Sequence, residues 1–266
     1  LVGSEMCIRD RTDIKYNIKH DGDLMLDFSR IHMSLDKGRA FGINPKLSGT
    51  KTKTVDRILN ADIYKKKEVR DNFNELTLKF KGNYRIVFRA YNEGIAYRFE
   101  SDIKGDIIVE NELSEFNFLH DAKAYIPYVR DNVATLESQF GNPFENIYKY
   151  ENISQWDTSR IAFLPLLVEG RNGKKLCILE ADLLNYPGMY LYNGDGSNTL
   201  KSVFAPYPKE VEQGGYLNLQ GLVKSREPYI AKVSGVTSFP WRIMVVSEND
   251  KELADNDCLL YTSPSP

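Results

Sequence analysis

The sequence is poor in cysteine, in histidine and in net charge. Its 266 residues include 3 cysteines and 3 histidines, and the formal net charge is -2. Two of the cysteines, Cys7 and Cys258, lie at the ends of the chain, and Cys177 alone cannot form a disulfide framework or a zinc cluster. There is no basic excess to attract nucleic acid or an anionic membrane surface, and no apolar run approaches the ~20 residues that a membrane-spanning helix needs. We therefore expect neither nucleic acid nor a membrane as a partner.

Motifs of catalytic nucleophiles and metal centres are also missing. The sequence has no G-x-S-x-G, no phosphate-binding P-loop and no H-E-x-x-H. Its histidines, His20, His32 and His120, are far apart and show no partner spacing. Each is predicted to be a surface or strand residue rather than a ligand. Cys177 lies in an apolar run and is predicted to be a buried core thiol. No catalytic residue is predicted in this chain.

The two ends of the chain, residues 1–11 and 258–266, are related at the level of DNA. One short DNA sequence, read on its two strands, can encode both, and it resembles a transposon adapter used in sequencing libraries. We therefore expect both ends to be foreign to the protein and exclude them from the fold. The natural part is expected at residues 12–257, as an internal fragment of a longer protein.

The sequence contains many short runs in which apolar and polar side chains alternate. In residues 84–91, Ile86 and Phe88 fall on one face and arginines on the other. This period of two is typical of a half-buried strand. Asn-Glu-Gly follows at residues 92–94, where the glycine can take the positive φ of a tight turn. Residues 95–100 alternate again, so the sequence predicts a hairpin here.

Similar short runs, separated by glycine-containing turns, recur along the chain. Many short strands at this spacing predict an all-β fold, an antiparallel β-sandwich of two packed sheets in a single domain. Short helices are predicted only at residues 55–59 and 251–254. Residues 129–157 mix asparagine, proline, glycine and aromatic residues, and are predicted to be a long, partly ordered excursion.

Two carboxylates, Glu180 and Asp182, interrupt the apolar stretch ILEADLLNYPGMYL at residues 178–191. They are separated by one residue, so on a strand both would face the same side. Two like charges on one side are tolerable if they are solvated or if they share a cation. The residues alone favour solvation but leave the cation open. Two other stretches have structural explanations, since arginines at 89 and 98 could pair with carboxylates and Trp241 could belong to the core.

Taken together, the motifs resemble a known family. FRAYNEGIAYRF (88–99), LEADLLNYPGMYL (179–191) and PWRIMVV (240–246) are similar to segments of the N-terminal domain of glycoside hydrolase family 97, the α-glucosidase and α-galactosidase family. DNFNELTLKF (71–80) and NELSEFNF (111–118) fit the same pattern. The resemblance covers most of residues 13–247, with the segments in the family's order. It implies that the first strand or two of the family domain are missing before Thr12.

The resemblance implies a β-supersandwich of the galactose-mutarotase type that packs against a following (β/α)8 barrel of the same chain. It also implies a calcium ion, held by Glu180 together with carboxylates of the barrel, which is absent here; Asp182 is left out of the ligand set. The catalytic carboxylate pair of glycoside hydrolysis would belong to the barrel. The full-length parent would then be a periplasmic α-glycosidase acting on oligosaccharides, and this fragment alone would be inactive.

Two other functions stay open at this point. The chain could be a stand-alone carbohydrate-binding sandwich that stacks sugar rings on exposed tyrosine and tryptophan side chains. It could also be a mutarotase-like epimerase that works through a histidine and a carboxylate. The reading frame beyond residue 257 discriminates between a barrel-bearing hydrolase and a finished binding domain.

Overall fold

The computed structural model describes residues 12–61, 65–129, 135–141 and 144–256, and the backbone of residues 2–7. With 61% of residues in strands and 9% in helices, the predicted all-β class is confirmed. The strands are β1 (Val2–Cys7), β2 (Ile14–His20), β3 (Asp23–Leu35), β4 (Ala40–Phe41), β5 (Leu47–Asn60), β6 (Glu68–Phe80), β7 (Tyr84–Tyr91), β8 (Gly94–Asn117), β9 (Lys123–Ile126), β10 (Lys149–Asn152), β11 (Leu166–Glu169), β12 (Lys175–Ala181), β13 (Met189–Tyr192), β14 (Thr199–Phe204), β15 (Pro208–Gly214), β16 (Gln220–Arg226), β17 (Ala231–Ser238) and β18 (Trp241–Ser247).

Helical structure in the described residues is confined to short pieces. The α-helices are α1 (Leu136–Gln139) and α2 (Asp250–Asp255), and single 3-10 turns lie at Asp36–Gly38, Ile153–Gln155, Arg171–Gly173 and Tyr216–Asn218. The helix predicted at residues 251–254 is therefore confirmed as part of α2. The excursion predicted at residues 129–157 contains α1 and β10, while its residues 130–134 and 142–143 lie outside the described part. None of the described helices is long and apolar enough to cross a membrane.

Within the part of the chain that the structure describes, sixteen strands form one hydrogen-bonded network, and β15 pairs only with β16 in a separate hairpin. The main path runs β1-β2-β3-β8-β18-β12-β11-β9-β10. Side branches are β5-β6-β7-β8, β13-β14-β8, β17-β8 and β3-β4. The pairs are antiparallel, as the predicted sandwich requires.

The 24-residue strand β8 connects the two layers of the sandwich. Its beginning pairs with β7 and β18, and its end pairs with β3 and β14. Between these parts β8 pairs with β17, where the register shifts opposite Gly235. A Cβ atom at Gly235 would lie 2.2 Å from the carbonyl oxygen of Gly105 and 2.3 Å from that of Ile103. Glycine is therefore what allows the two backbones to approach at this irregularity in the pairing of β17 with β8.

The predicted hairpin is confirmed as β7 and β8, with Tyr91 opposite Gly94. Ile86 and Phe88 face the large hydrophobic core, as the alternation indicates. The opposite face is not solvated, because Val87 packs there in a second buried cluster. The sheet that contains β7, β8 and β18 therefore buries side chains on both faces.

The helix predicted at residues 55–59 is wrong. These residues lie within β5, which pairs with β6 in a continuous register from Gly49 opposite Lys79 to Asn60 opposite Glu68. Val55 packs against the second cluster, opposite Phe73. The local spacing of apolar residues suits a helix, but pairing along most of β5 and partial burial of Val55 outweigh that weak preference.

Some residues of the expected foreign ends lie in the fold. The backbone of β1 pairs with β2, with Val2 opposite His20 and Cys7 opposite Lys15. Main-chain hydrogen bonds can complete a sheet edge with a strand of any sequence, so this pairing does not distinguish native from foreign residues. Residues 8–11 and 258–266 lie outside the described part. The boundaries at residues 12 and 257 stay a prediction.

We predict that Gly235→Ala destabilises the domain, because the added methyl group would overlap two carbonyl oxygens. The expected decrease in Tm is roughly 5 °C or more. Gly49→Ala is the matched control, since Gly49 also lies in a strand but no heavy atom of the described residues lies within 4 Å of the place that an added Cβ would take. Thermal unfolding followed by circular dichroism measures both variants, and equal Tm values for the two would contradict the prediction.

Candidate functional site

Three of the motifs that carry the family resemblance meet on neighbouring strands. Glu180 of β12 is opposite Arg242 of β18, and Arg242 is opposite Tyr97 of β8. Directly opposed residues of antiparallel strands present their side chains on the same face. Glu180, Arg242 and Tyr97 therefore stand in one row across the sheet, although they are far apart in sequence.

The Arg242 guanidinium is the centre of this row, and its side chain is only 1% exposed. Its Nε donates to Glu112 Oε1 at 2.7 Å and its Nη2 donates to Glu112 Oε2 at 2.8 Å. Its Nη1 donates to Glu180 Oε2 at 2.7 Å. Burial acts to lower the pKa of Arg242, but the charge and hydrogen bonds of Glu112 outweigh it and the pKa is raised. Arg242 is thus a buried cation between two carboxylates.

Glu112 is held on several sides, and its side chain is 2% exposed. Besides Arg242, the Tyr186 hydroxyl donates to Glu112 Oε2 at 2.8 Å. The Ser114 hydroxyl donates to Glu112 Oε1 at 3.3 Å, and Tyr97 donates to Ser114 at 2.9 Å. Tyr97 and Glu112 belong to different parts of β8, so this network connects the two layers through the core.

Glu180 is the outermost member, with a side chain that is 11% exposed. The Met189 backbone N–H donates to both carboxylate oxygens at 3.0 Å. A Cβ at Gly188 would lie 3.3 Å from Glu180 Oε1, so the glycine keeps room beside this oxygen. Burial raises the pKa of Glu180 to about 6, against the opposing effect of Arg242. The carboxylate is therefore oriented on both sides and only slightly open to solvent.

The expectation that Glu180 and Asp182 face the same side holds only within one strand, and Asp182 lies beyond the end of the strand. β12 ends at Ala181, and Asp182 has φ 63°, which breaks the strand alternation. Asp182 Oδ2 accepts from Arg98 Nη1 at 3.4 Å, and burial raises the pKa of Asp182. Arg98 lies on the face opposite that of Tyr97, so the two carboxylates have arginine partners on opposite faces.

The face that carries Arg98 is organised by Trp241, which is 1% exposed. The Cζ atoms of Arg89 and Arg98 lie 4.6 and 4.4 Å from the centroid of the Trp241 ring, within the range of cation–π contacts. Arg89 also pairs with Glu75 at 3.0 Å. The core position expected for Trp241 and the carboxylate partners expected for the arginines are both present.

An open cavity of about 1180 Å³ lies beside Glu180. Its wall includes Glu180, Asp182 and the segment that follows them. Leu183 and Leu184 on this wall are 42% and 59% exposed. The residues that line the cavity are Phe144, Leu164, Glu180, Asp182, Leu183, Leu184, Asn185, Tyr186, Pro187, Gly188, Met189, Tyr190, Ala205, Pro206, Tyr207, Pro208, Arg226, Ile230, Lys232, Val233, Ser234, Thr237 and Ser238. No histidine is among these described residues, so the cavity lacks the histidine that a mutarotase-like epimerase would use.

The histidines lie elsewhere. His20 and His32 are in β2 and β3, as strand residues. His20 Nε2 lies 3.7 Å from Asp21 Oδ2 and 3.4 Å from Glu248 Oε1. Among the described residues these are the one group of three that could hold a metal ion by proximity. Sequence spacing could not show it, because Glu248 follows β18 while His20 ends β2.

Cys177 is less buried than predicted. It is a free cysteine of intermediate exposure that packs against the second cluster. Burial raises the pKa of its thiol to about 12. The thiol is therefore protonated near neutral pH, in line with a structural role.

Comparison with known proteins identifies the family. The sequence model described as glycosyl-hydrolase 97 N-terminal matches residues 4–263. The chain belongs to this family. It is 46% identical over 254 residues to a retaining alpha-galactosidase of Bacteroides thetaiotaomicron, a match that covers 95% of this chain and 38% of that enzyme. The chain thus spans well under half the length of this curated relative.

Solved structures show the same fold. A glycoside hydrolase family 97 enzyme from a Pseudoalteromonas species, in complex with acarbose, superposes with a TM-score of 0.78 at 18% identity, over all of this chain and 37% of that one. A beta-arabinopyranosidase superposes with a TM-score of 0.74 at 19% identity, over 93% of this chain and 39% of that one. At these identities the likeness is evidence for the fold alone.

Sequence reasoning singled out Glu180 but not Glu112 and Tyr186, which belong to the same hydrogen-bond network. Both residues lie within motifs that carry the family resemblance, NELSEFNF and LEADLLNYPGMYL. The available signal was a glutamate in a strand that pairs in the interior of a sheet, where a carboxylate needs a partner.

We predict that Arg242→Met destabilises this chain by about 3–5 kcal/mol, because it leaves Glu112 buried without its counter-charge. The matched control is Lys224→Met, which removes an ion pair with Glu212 between two side chains that are more than half exposed. The control is expected to be nearly neutral, since exposed pairs contribute little. Chemical denaturation measures both, and a similar effect of the two substitutions would contradict a central role for Arg242.

Proposed function

We propose that the chain is the non-catalytic N-terminal β-sandwich of a calcium-dependent α-glycosidase, and that Glu180 supplies one ligand of the metal ion. The observation that carries the proposal is the position of Glu180. Its carboxylate is buried in a network that fixes its orientation, yet it lines an open cavity. A carboxylate with a purely structural role in the core would not need to be accessible from a cavity.

The residues present fit a partial calcium site. Ca²⁺ takes six to eight hard oxygen ligands, of which Glu180 offers one or two. Among the described residues, the hydrogen bond that Oε1 accepts comes from the Met189 N–H, which leaves this oxygen capacity for a cation. Glu112, Arg242 and Glu180 together hold two carboxylates and one guanidinium, and a cation at Glu180 would balance the excess negative charge. When bound, the ion would polarise the leaving group or orient a water molecule.

The remaining ligands and the chemistry would come from a second domain. The relatives are more than twice the length of the part that this chain matches, which leaves room for a following (β/α)8 barrel with the catalytic carboxylates. The exposed Leu183 and Leu184 beside Glu180 suit a surface that such a domain covers. The substrate would be an α-galactoside or α-glucoside, and the named relative favours the galactoside. A periplasmic location is the corresponding proposal for the full-length protein.

The first prediction of this proposal is that the chain alone has no glycosidase activity. Retaining and inverting glycosidases need a pair of carboxyl groups about 5–9.5 Å apart that flank the scissile bond, whereas Glu180 and Asp182 are engaged with arginines on opposite faces. Release of nitrophenol from nitrophenyl α-galactoside and α-glucoside measures this. Turnover above that of a mock purification would contradict the non-catalytic assignment.

The second prediction concerns the full-length enzyme that carries this domain. Glu180→Gln should weaken calcium binding and lower kcat/KM, because the side chain keeps its length but loses the negative charge that attracts a hard dication. The loss should be partial, and excess Ca²⁺ should restore much of the rate by mass action.

Asp182→Asn is the matched control, since Asp182 lines the same cavity but pairs with Arg98. It should leave the calcium dependence of kcat/KM close to that of the wild type. If the curves for Glu180→Gln and wild type coincide, Glu180 is not a calcium ligand.

A further inference from the structure

We propose that Arg242 is a positioning residue that presents the Glu180 carboxylate to the calcium ion, and that Glu112 and Tyr186 lock Arg242 in place for this task. The inference rests on the proposed function and extends it to residues that do not touch the ion. It assigns a role to the motif PWRIMVV, which the proposed ligand set does not use.

The shape of the guanidinium makes this role possible. Two of its nitrogens form a fork on Glu112, which fixes the plane of the group, and the third is then directed at Glu180 Oε2 at 2.7 Å. A lysine ammonium is a point charge on a flexible stem and cannot reproduce a planar three-way contact. The Met189 N–H approaches Glu180 from another part of the chain. The carboxylate is thereby restricted to one orientation.

The lock on Arg242 is coupled to the loop that forms the cavity wall. Tyr186 donates to Glu112 at 2.8 Å, and three residues later Met189 donates to Glu180. Both ends of this segment are therefore attached to the same network, one at each carboxylate. A change in the position of Arg242 is expected to move the Glu180 carboxylate and the wall together.

Electrostatics gives Glu112 a second role. A lone guanidinium 2.7 Å from Glu180 would cancel the attraction of that carboxylate for a cation. Because Glu112 binds the same guanidinium with two hydrogen bonds, the positive charge is already balanced. Glu180 is thus oriented by Arg242 and still offers net negative charge to the ion.

The test measures calcium affinity of the full-length enzyme by isothermal titration calorimetry. Arg242→Lys should weaken binding about 10–100-fold, as is usual when a group that orients a metal ligand is lost. The matched control is Arg30→Lys. Arg30 forms the same kind of fork with Glu115, at 2.8 and 2.6 Å, but neither residue lines the cavity. The control should lower Tm but leave calcium affinity unchanged. If Arg242→Lys does not fold, Tyr186→Phe replaces it as the test. This variant removes one hydrogen bond to Glu112, and we expect it to weaken calcium binding several-fold.

The double variant Arg242→Lys/Glu180→Gln decides how Arg242 acts. If it acts through Glu180, adding Arg242→Lys to Glu180→Gln should cause little further loss of affinity. This inference would be overturned if Arg242→Lys bound calcium as tightly as the wild type while Glu180→Gln bound it more weakly; the proposed function would then still stand. Tyr186→Phe takes the place of Arg242→Lys where the latter does not fold. Wild-type affinity in Glu180→Gln would overturn both.

Discussion

The buried ion pair between Arg242 and Glu112 is the interaction that holds the site together. It joins β18 to the far part of β8, and so connects the two layers of the sandwich through the core. The desolvation of two charges is costly, and an apolar pair of similar volume often stabilises a fold at least as well. Stability alone is therefore a weak reason for this pair. Its geometry supplies another, since the remaining nitrogen of Arg242 orients Glu180.

Strand alternation gives the adjacent residues of one motif separate tasks. Arg242 points toward the large core and Glu180, while Trp241 points to the opposite face between Arg89 and Arg98. Arg98 in turn holds Asp182. The two carboxylates of one short stretch thus have different arginine partners, which separates two like charges that would otherwise repel. The same arrangement leaves Glu180 as the carboxylate that the network orients at the cavity wall.

The alternation of side chains and the glycine turns in the sequence predicted the strands, the hairpin and the antiparallel class of the fold. The β7–β8 hairpin followed from alternation and a glycine turn, and the antiparallel sandwich followed from many short strands. The helix predicted at residues 55–59 is wrong because pairing with β6 outweighs a short run of apolar residues at helical spacing. Glu112 was missed because its partner Arg242 is 130 residues away, and no local rule pairs them. The positive φ of Asp182 was missed because such a backbone conformation at a non-glycine residue depends on its surroundings.

Anomalous diffraction from crystals of the full-length protein grown with Ca²⁺ tests the role of Glu180 most directly. We expect a calcium peak about 2.3–2.6 Å from a carboxylate oxygen of Glu180, with Arg242 still bound to Glu112. A calcium peak at His20, Asp21 and Glu248, with none at Glu180, would contradict the proposed metal site.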